Sequence, residues 1–133
     1  MADFGAVRQT LCDALEAATG MQTYTSEPEN VSVPCAVVRP GSPFAAYEMR
    51  MGGSITTTWR VEVVVLASRI ADTSGHTLLN TLVSPGPDGV VSVMNKTRFD
   101  GQPFRVIEGT QYGTVTVGGA TYLGAQLVVE LLA

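Results

Sequence analysis

Residues 54–69, SITTTWRVEVVVLASR, constrain the fold more than any other stretch of the chain. Thr, Val, Ile and Trp are β-branched or aromatic, and such side chains pack well on a pleated surface. No Gly or Pro interrupts the run, so it reads as one long strand. Side chains alternate between the faces of a strand. Ile55, Thr57, Trp59, Val61, Val63 and Val65 therefore share one face, and Thr56, Thr58, Arg60 and Glu62 the other. Val64 and Leu66 then turn the second face apolar. The strand is expected to be half-buried at its start and covered on both faces at its end.

The remaining elements are placed around it. Asp3 is suited to cap a first helix, in which Phe4, Val7, Leu11, Leu15 and Ala18 recur at helical spacing and Gly20 ends the last turn. Met21–Thr25 reads as a short strand, broken by Glu27-Pro28-Glu29-Asn30, and Pro34–Val38 as a buried one. Pro40-Gly41-Ser42-Pro43 opens a stretch expected to be irregular as far as Gly52-Gly53. Beyond the long strand, Asp72, Thr73 or Ser74 caps a second helix whose apolar side is Leu78, Leu79, Leu82 and Val83. Pro85-Gly86-Pro87 ends it, and Val90, Val91 and Met94 suggest a further short helix.

Phe104–Val117 and Ala120–Leu132 close the chain as strands around Gly118-Gly119. Two glycines supply the positive φ angles of a type I′ hairpin turn. That turn sets Thr116 opposite Thr121 and Thr114 opposite Leu123. Leu123, Ala125, Leu127, Val129 and Leu131 then line a face expected to meet the first helix. Val115, Val117, Tyr122, Gln126, Val128 and Glu130 line the other. Gly124, inside the last strand, marks a bulge or a close neighbour. The order α-β-β-β-α-α-β-β lacks regular βαβ alternation. It predicts an α+β fold, a mixed and mostly antiparallel sheet against two or three helices, in one domain over residues 1–133.

Composition excludes several functions. Charged residues are 15% of the chain, against about 25% in an average protein. The surface must then carry many uncharged positions, which fits a protein partly covered by partners. Net charge is -4, and the eight Lys and Arg residues are scattered. Nucleic-acid binding needs clustered cations to replace condensed counterions, so DNA is not expected as a main ligand. Cys12 falls on a helical stripe and Cys35 on a strand, and both are expected as buried thiols. The first twenty residues lack a basic segment followed by an apolar one, so no signal peptide is expected. The longest purely apolar run, Val63–Ala67, is too short to span a bilayer.

No catalytic constellation emerges. His76 is the single histidine, and Asp72 stands one helical turn before it. A carboxylate-oriented base is half of a triad, but no nucleophile elbow accompanies it. Cys12, Cys35 and His76 lack metal-ligand spacing, the acids stand singly, and no glycine-rich phosphate loop occurs. The expectation is a protein that is not an enzyme and has no cofactor or metal. Phe44, Tyr47, Met49, Arg50 and Met51 cluster between Pro-Gly and Gly-Gly. Adaptable Met and aromatic residues in a loop read either as a contact surface or as a loop folded over a sheet edge.

Taken together, these segments resemble a known family. They are DFGAVRQTLCDALEAATG, MQTYTSEP, PCAVVRPGSP, the long strand, ADTSGHTLLNTLVSPGPDGVVSVM and YGTVTVGGATYLGAQLVVEL. Their order and character resemble the tail terminator proteins of long-tailed (siphovirus-type) bacteriophages, especially those of actinobacteria. The resemblance implies an α+β, ring-forming fold and a homo-hexamer. Such a ring caps the head-proximal end of the tail tube, stops its polymerisation and docks onto the head-completion (stopper) connector. The implied partners are further copies of the chain, the major tail tube protein and the connector, with DNA only passing through the lumen. No membrane is involved, and the implied location is the virion neck, assembled in the bacterial cytoplasm. The contact residues expected from composition are Phe44, Tyr47, Met49, Arg50 and Met51, with Tyr122, Gln126 and Val128 from the outer face of the closing hairpin. The alternatives are another neck protein, or a small hydrolase or ligand-binding domain built on His76.

Overall fold

The computed structural model describes residues 4–25, 33–69, 75–84, 86, 89–99 and 101–132. The Asp3 cap, the Glu27–Asn30 turn, the Asp72–Ser74 cap and Pro85 and Pro87 lie outside them.

Helix α1 spans Phe4–Thr19 and buries Val7, Leu11, Cys12 and Leu15 on one stripe. Gly20 ends it at φ 72°, and its N–H donates to the Glu16 carbonyl at 2.9 Å. The left-handed residue that satisfies a last-turn carbonyl is most easily glycine. Strands β1 (Gln22–Tyr24), β2 (Cys35–Met49) and β3 (Ile55–Arg69) follow, then helices α2 (Gly75–Val83) and α3 (Val90–Lys96). The chain closes with β4 (Arg98–Phe99), β5 (Gln102–Val117) and β6 (Ala120–Leu132). The strands form one sheet in the order β1-β2-β3-β6-β5-β4. Among the described residues only β1 and β2 pair parallel. The fold is α+β, a curled, mostly antiparallel sheet packed against helices, as the order of elements predicts.

Helices cover one face. Val61, Val63 and Val65 of β3 and Leu123, Ala125, Leu127, Val129 and Leu131 of β6 join α1, α2 and α3 in the main core. Each fully buried Leu or Val side chain contributes about 1.5–3 kcal/mol, so this layer dominates stability. The β6 row meets α2 and not chiefly α1, which is a correction to the expected packing. α1 runs almost directly into β1 and stays over β1 and β2, whereas α2 and α3, which link β3 to the closing strands, lie over β3, β6 and β5.

A second, smaller cluster lies on the opposite face. Val64 and Leu66 pack there with Cys35, Val37, Val115, Val117 and Tyr122. The long strand is thus covered on both faces at its end, as its sequence requires. Gly118 and Gly119 take φ 60° and 80°, and the register sets Thr116 opposite Thr121 and Thr114 opposite Leu123. Gly124 lets the hairpin curl over this cluster. A Cβ there would sit 2.5 Å from the Val65 carbonyl oxygen and 2.9 Å from Leu66 Cδ2.

Candidate assembly surfaces

Among the described residues no cluster of His, Cys, Asp or Glu is placed to hold a metal ion. Cys12 and Cys35 are free and buried. Burial raises both thiols to about 11, and for Cys12 a hydrogen bond from Thr23 offsets part of that rise. Such thiols are poor nucleophiles at neutral pH. His76 belongs to α2, but its side chain and the whole of Asp72 lie outside the described residues. Among the described residues no helix is long and apolar enough to cross a membrane.

The stretch expected to be irregular is instead the continuation of β2 and the turn that leads into β3. β2 runs on to Met49 and pairs with β3 up to the Met49–Ile55 rung. Irregularity is confined to a register shift between Pro40 and Ala45. Pro fits this part of β2 because, among the described residues, β1 pairs only with Cys35, Ala36 and Val37, and the outer edge beyond them has no strand that needs a donor. The turn closes through hydrogen bonds from Arg50 N–H to the Ser54 carbonyl and from Gly53 N–H to the Arg50 carbonyl. Gly52 and Gly53, at φ 91° and 85°, supply the backbone conformations it needs.

β6 reaches only as far as Thr58, where Leu132 pairs with it. Beyond that rung, among the described residues, β2 and β3 pair only with each other and form a two-stranded arm. Its base is an aromatic stack: Phe4 lies 5.2 Å from Trp59 and 5.6 Å from Phe44, centroid to centroid. The Trp59 indole N–H is buried there and has no hydrogen-bond acceptor among the described residues. The register puts Tyr47 opposite Thr57 and Met49 opposite Ile55, in phase with Trp59 and Val61. The core face of the sheet therefore continues past the helices and stays uncovered. Tyr47 is 63% exposed, Met49 75% and Ile55 58%, and Met51 at the tip is fully exposed. Glu48, Thr56 and Thr58 give the opposite face a polar surface.

The arm therefore brings Tyr47, Met49, Arg50 and Met51 together, while Phe44 belongs to its anchor. Ile55 joins the exposed face although it shares a face with the core residues Val61 and Val63, because alternation alone does not say where the helices end.

The outer face of the closing hairpin is different. Tyr122 is 3% and Val128 7% exposed within the single chain, and Gln126 is half-buried. The curl of β5 and β6 packs Tyr122 into the second cluster. Val128 lies between Glu62 of β3 and Glu108 of β5 in the ladder. Neighbouring strands also carry ion pairs, Arg39–Glu62 at 3.2 Å and Arg60–Glu130 at 3.1 Å. Within the single chain the curl of the sheet and the flanking strands thus leave Tyr122 and Val128 little exposed, and of the three expected contact residues Gln126 keeps the most accessible surface.

A further surface, not expected from sequence, lies at the other edge of the sheet. β4 pairs only with Gln102 and Pro103, so the rest of β5 has a free edge among the described residues. Register shifts between Val106 and Glu108 and between Gly109 and Gln111 bulge it. Between this edge and helices α2 and α3 lies a groove of about 460 Å³, lined by Val83, Val91, Val106, Ile107 and Leu127, with Glu108 among its rim residues. Gly109 lies over Leu127: a Cβ there would come within 3.6 Å of its Cδ2. Gly109 and the broken alternation after Val106 are the sequence signals of that bulge.

No protein-family model matches the chain, and no curated protein sequence matches it.

Proposed function

We propose that the chain is a tail terminator of a long-tailed bacteriophage. Its copies close into a hexameric ring on the head-proximal end of the tail tube, end tube polymerisation there and join the tail to the head connector. It is a structural part of the virion neck and turns over no substrate. The observation that carries this reading is the uncovered apolar face of the β2–β3 arm, which continues the core face beyond the helices. An exposed, contiguous apolar surface on a small chain marks a contact site. The resemblance of the ordered segments to tail terminators names the kind of assembly, and heterologous contacts that close make rings.

The test is to mix the purified chain with the major tail tube protein and view the product by negative-stain electron microscopy. Rings seated at one end of tubes of limited length are expected. A chain that stays monomeric and leaves tube length unchanged would overturn the reading.

A further inference from the structure

We infer that Met49 and Met51 form a methionine-oxidation site at the tip of the arm, and that hydrogen peroxide there turns the arm's apolar face into a polar one and stops assembly. The loss of assembly rests on the ring reading. The selective oxidation stands on the single chain alone.

The sulfur atoms of the described residues divide into two groups. Met21, Met94, Cys12 and Cys35 are buried. Met49 is largely exposed and Met51 fully so. Both exposed sulfurs fall at one place, because Met49 is the last residue of β2 and Met51 lies in the turn that Gly52 and Gly53 help to close. Oxidation of sulfur follows the access of the oxidant. Peroxide reaches the two arm thioethers directly and meets the other four side chains only when the core opens. The cysteines are held back a second time, since the thiolate is the nucleophile and burial keeps both thiols protonated at neutral pH.

The step balances without a further reactant. A thioether sulfur lone pair attacks one oxygen of hydrogen peroxide, the O–O bond breaks, an S–O bond forms and water leaves. Sulfur is oxidised by two electrons and peroxide is reduced by the same two. A flexible apolar side chain thereby becomes a polar sulfoxide, and methionine sulfoxide reductases reverse the change. Met49 stands opposite Ile55 and in phase with Tyr47, so its sulfoxide falls within the exposed apolar face and not at its rim. Neither new oxygen is buried in the single chain, so the fold carries no added desolvation cost.

The full chain is treated with hydrogen peroxide at pH 7, and peptide-mapping mass spectrometry reads each methionine. Met49 and Met51 should each gain one oxygen at least about tenfold faster than Met21 or Met94. Equal rates at the buried methionines would overturn the site. Native mass spectrometry then reads assembly, with far-ultraviolet circular dichroism as the check on folding. The oxidised chain should keep its fold and lose the ring, and methionine sulfoxide reductases for both epimers should restore it. A Met49→Leu/Met51→Leu variant keeps the apolar face without sulfur and should hold its ring through the same treatment. If leucine itself blocks assembly, the reductase rescue of the wild-type chain decides. An oxidised wild-type chain that assembles as before would overturn the loss of assembly and leave the ring reading standing. So would peroxide-sensitive assembly of the leucine variant, which would place the damage elsewhere. An untreated chain that never assembles overturns the ring reading and the switch with it, while the peptide map still decides the oxidation site.

Discussion

Met49 and Ile55 face each other across the outermost rung of β2 and β3, and both stand in solvent on the face that becomes the core at Val61 and Val63. A cross-strand apolar pair contributes about 0.2–1 kcal/mol, which does not explain a whole exposed apolar face. The pair helps to hold the arm's shape, and most of its surface stays exposed.

Replacing Tyr47, Met49 and Met51 together by Ser separates these two roles. Exposed substitutions change stability by no more than about 0.5 kcal/mol each. Thermal melts of wild type and variant should therefore lie close together, while native mass spectrometry shows loss of the ring. A large fall in Tm with the ring intact would mean that the arm's apolar face serves the fold of the single chain.

The arm base carries a sharper stability prediction. Trp59 stacks on Phe4 and Phe44, and its indole N–H is buried without an acceptor among the described residues. Trp59→Ala should cost about 3 kcal/mol, the low end for truncating a large aromatic, because the side chain is only half-buried. Trp59→Phe keeps a stacked ring and removes the unpaired donor, so it should stay within about 1 kcal/mol of wild type. Urea unfolding followed by far-ultraviolet circular dichroism measures both. A Phe variant as damaged as the Ala variant would show that the N–H does find a partner.

Much of the fold was legible in the sequence because it depends on local rules. Period-two alternation placed β3, and Gly118-Gly119 dictated a turn that sets the register of β5 and β6. The arm was misread as irregular because Pro40, Gly41 and Pro43 look like breakers, yet each is tolerated on an edge strand with a register shift. The low exposure of Tyr122 and Val128 on the closing hairpin's outer face is not legible from that hairpin alone. What covers them comes from β2, β3 and the curl of the sheet, which only tertiary pairing reveals. The groove depends on two bulges, and periodicity does not encode such a recess.

Gly124 should be the least replaceable glycine of the sheet. Gly124→Ala puts a methyl group against the Val65 carbonyl and Leu66, so overpacking of about 1–3 kcal/mol is expected. Gly52→Ala has open space around it and only the strain of a left-handed backbone at φ 91°, about 1–2 kcal/mol. Chemical denaturation should rank Gly124→Ala as the more harmful of the two. The reverse order would mean that the hairpin shifts to admit the methyl group at little cost.

The two thiols make stability depend on alkaline pH. Burial raises Cys12 and Cys35 from 9.0 to about 11, so the folded chain keeps both protonated where the unfolded chain has begun to lose its protons. The unfolded state then binds fewer protons than the folded state, and unfolding becomes easier as pH rises. Their contribution is fully present below about pH 9 and is lost as pH climbs towards about 11. The urea midpoint should therefore fall across that window, and the fall should be smaller in a Cys12→Ala/Cys35→Ala variant, whose other titrating groups are unchanged. In the same frame, a thiol-specific reagent at pH 8 should label neither cysteine in the native protein and both after denaturation. Rapid native labelling of either cysteine would show that the helix face or the second cluster opens readily.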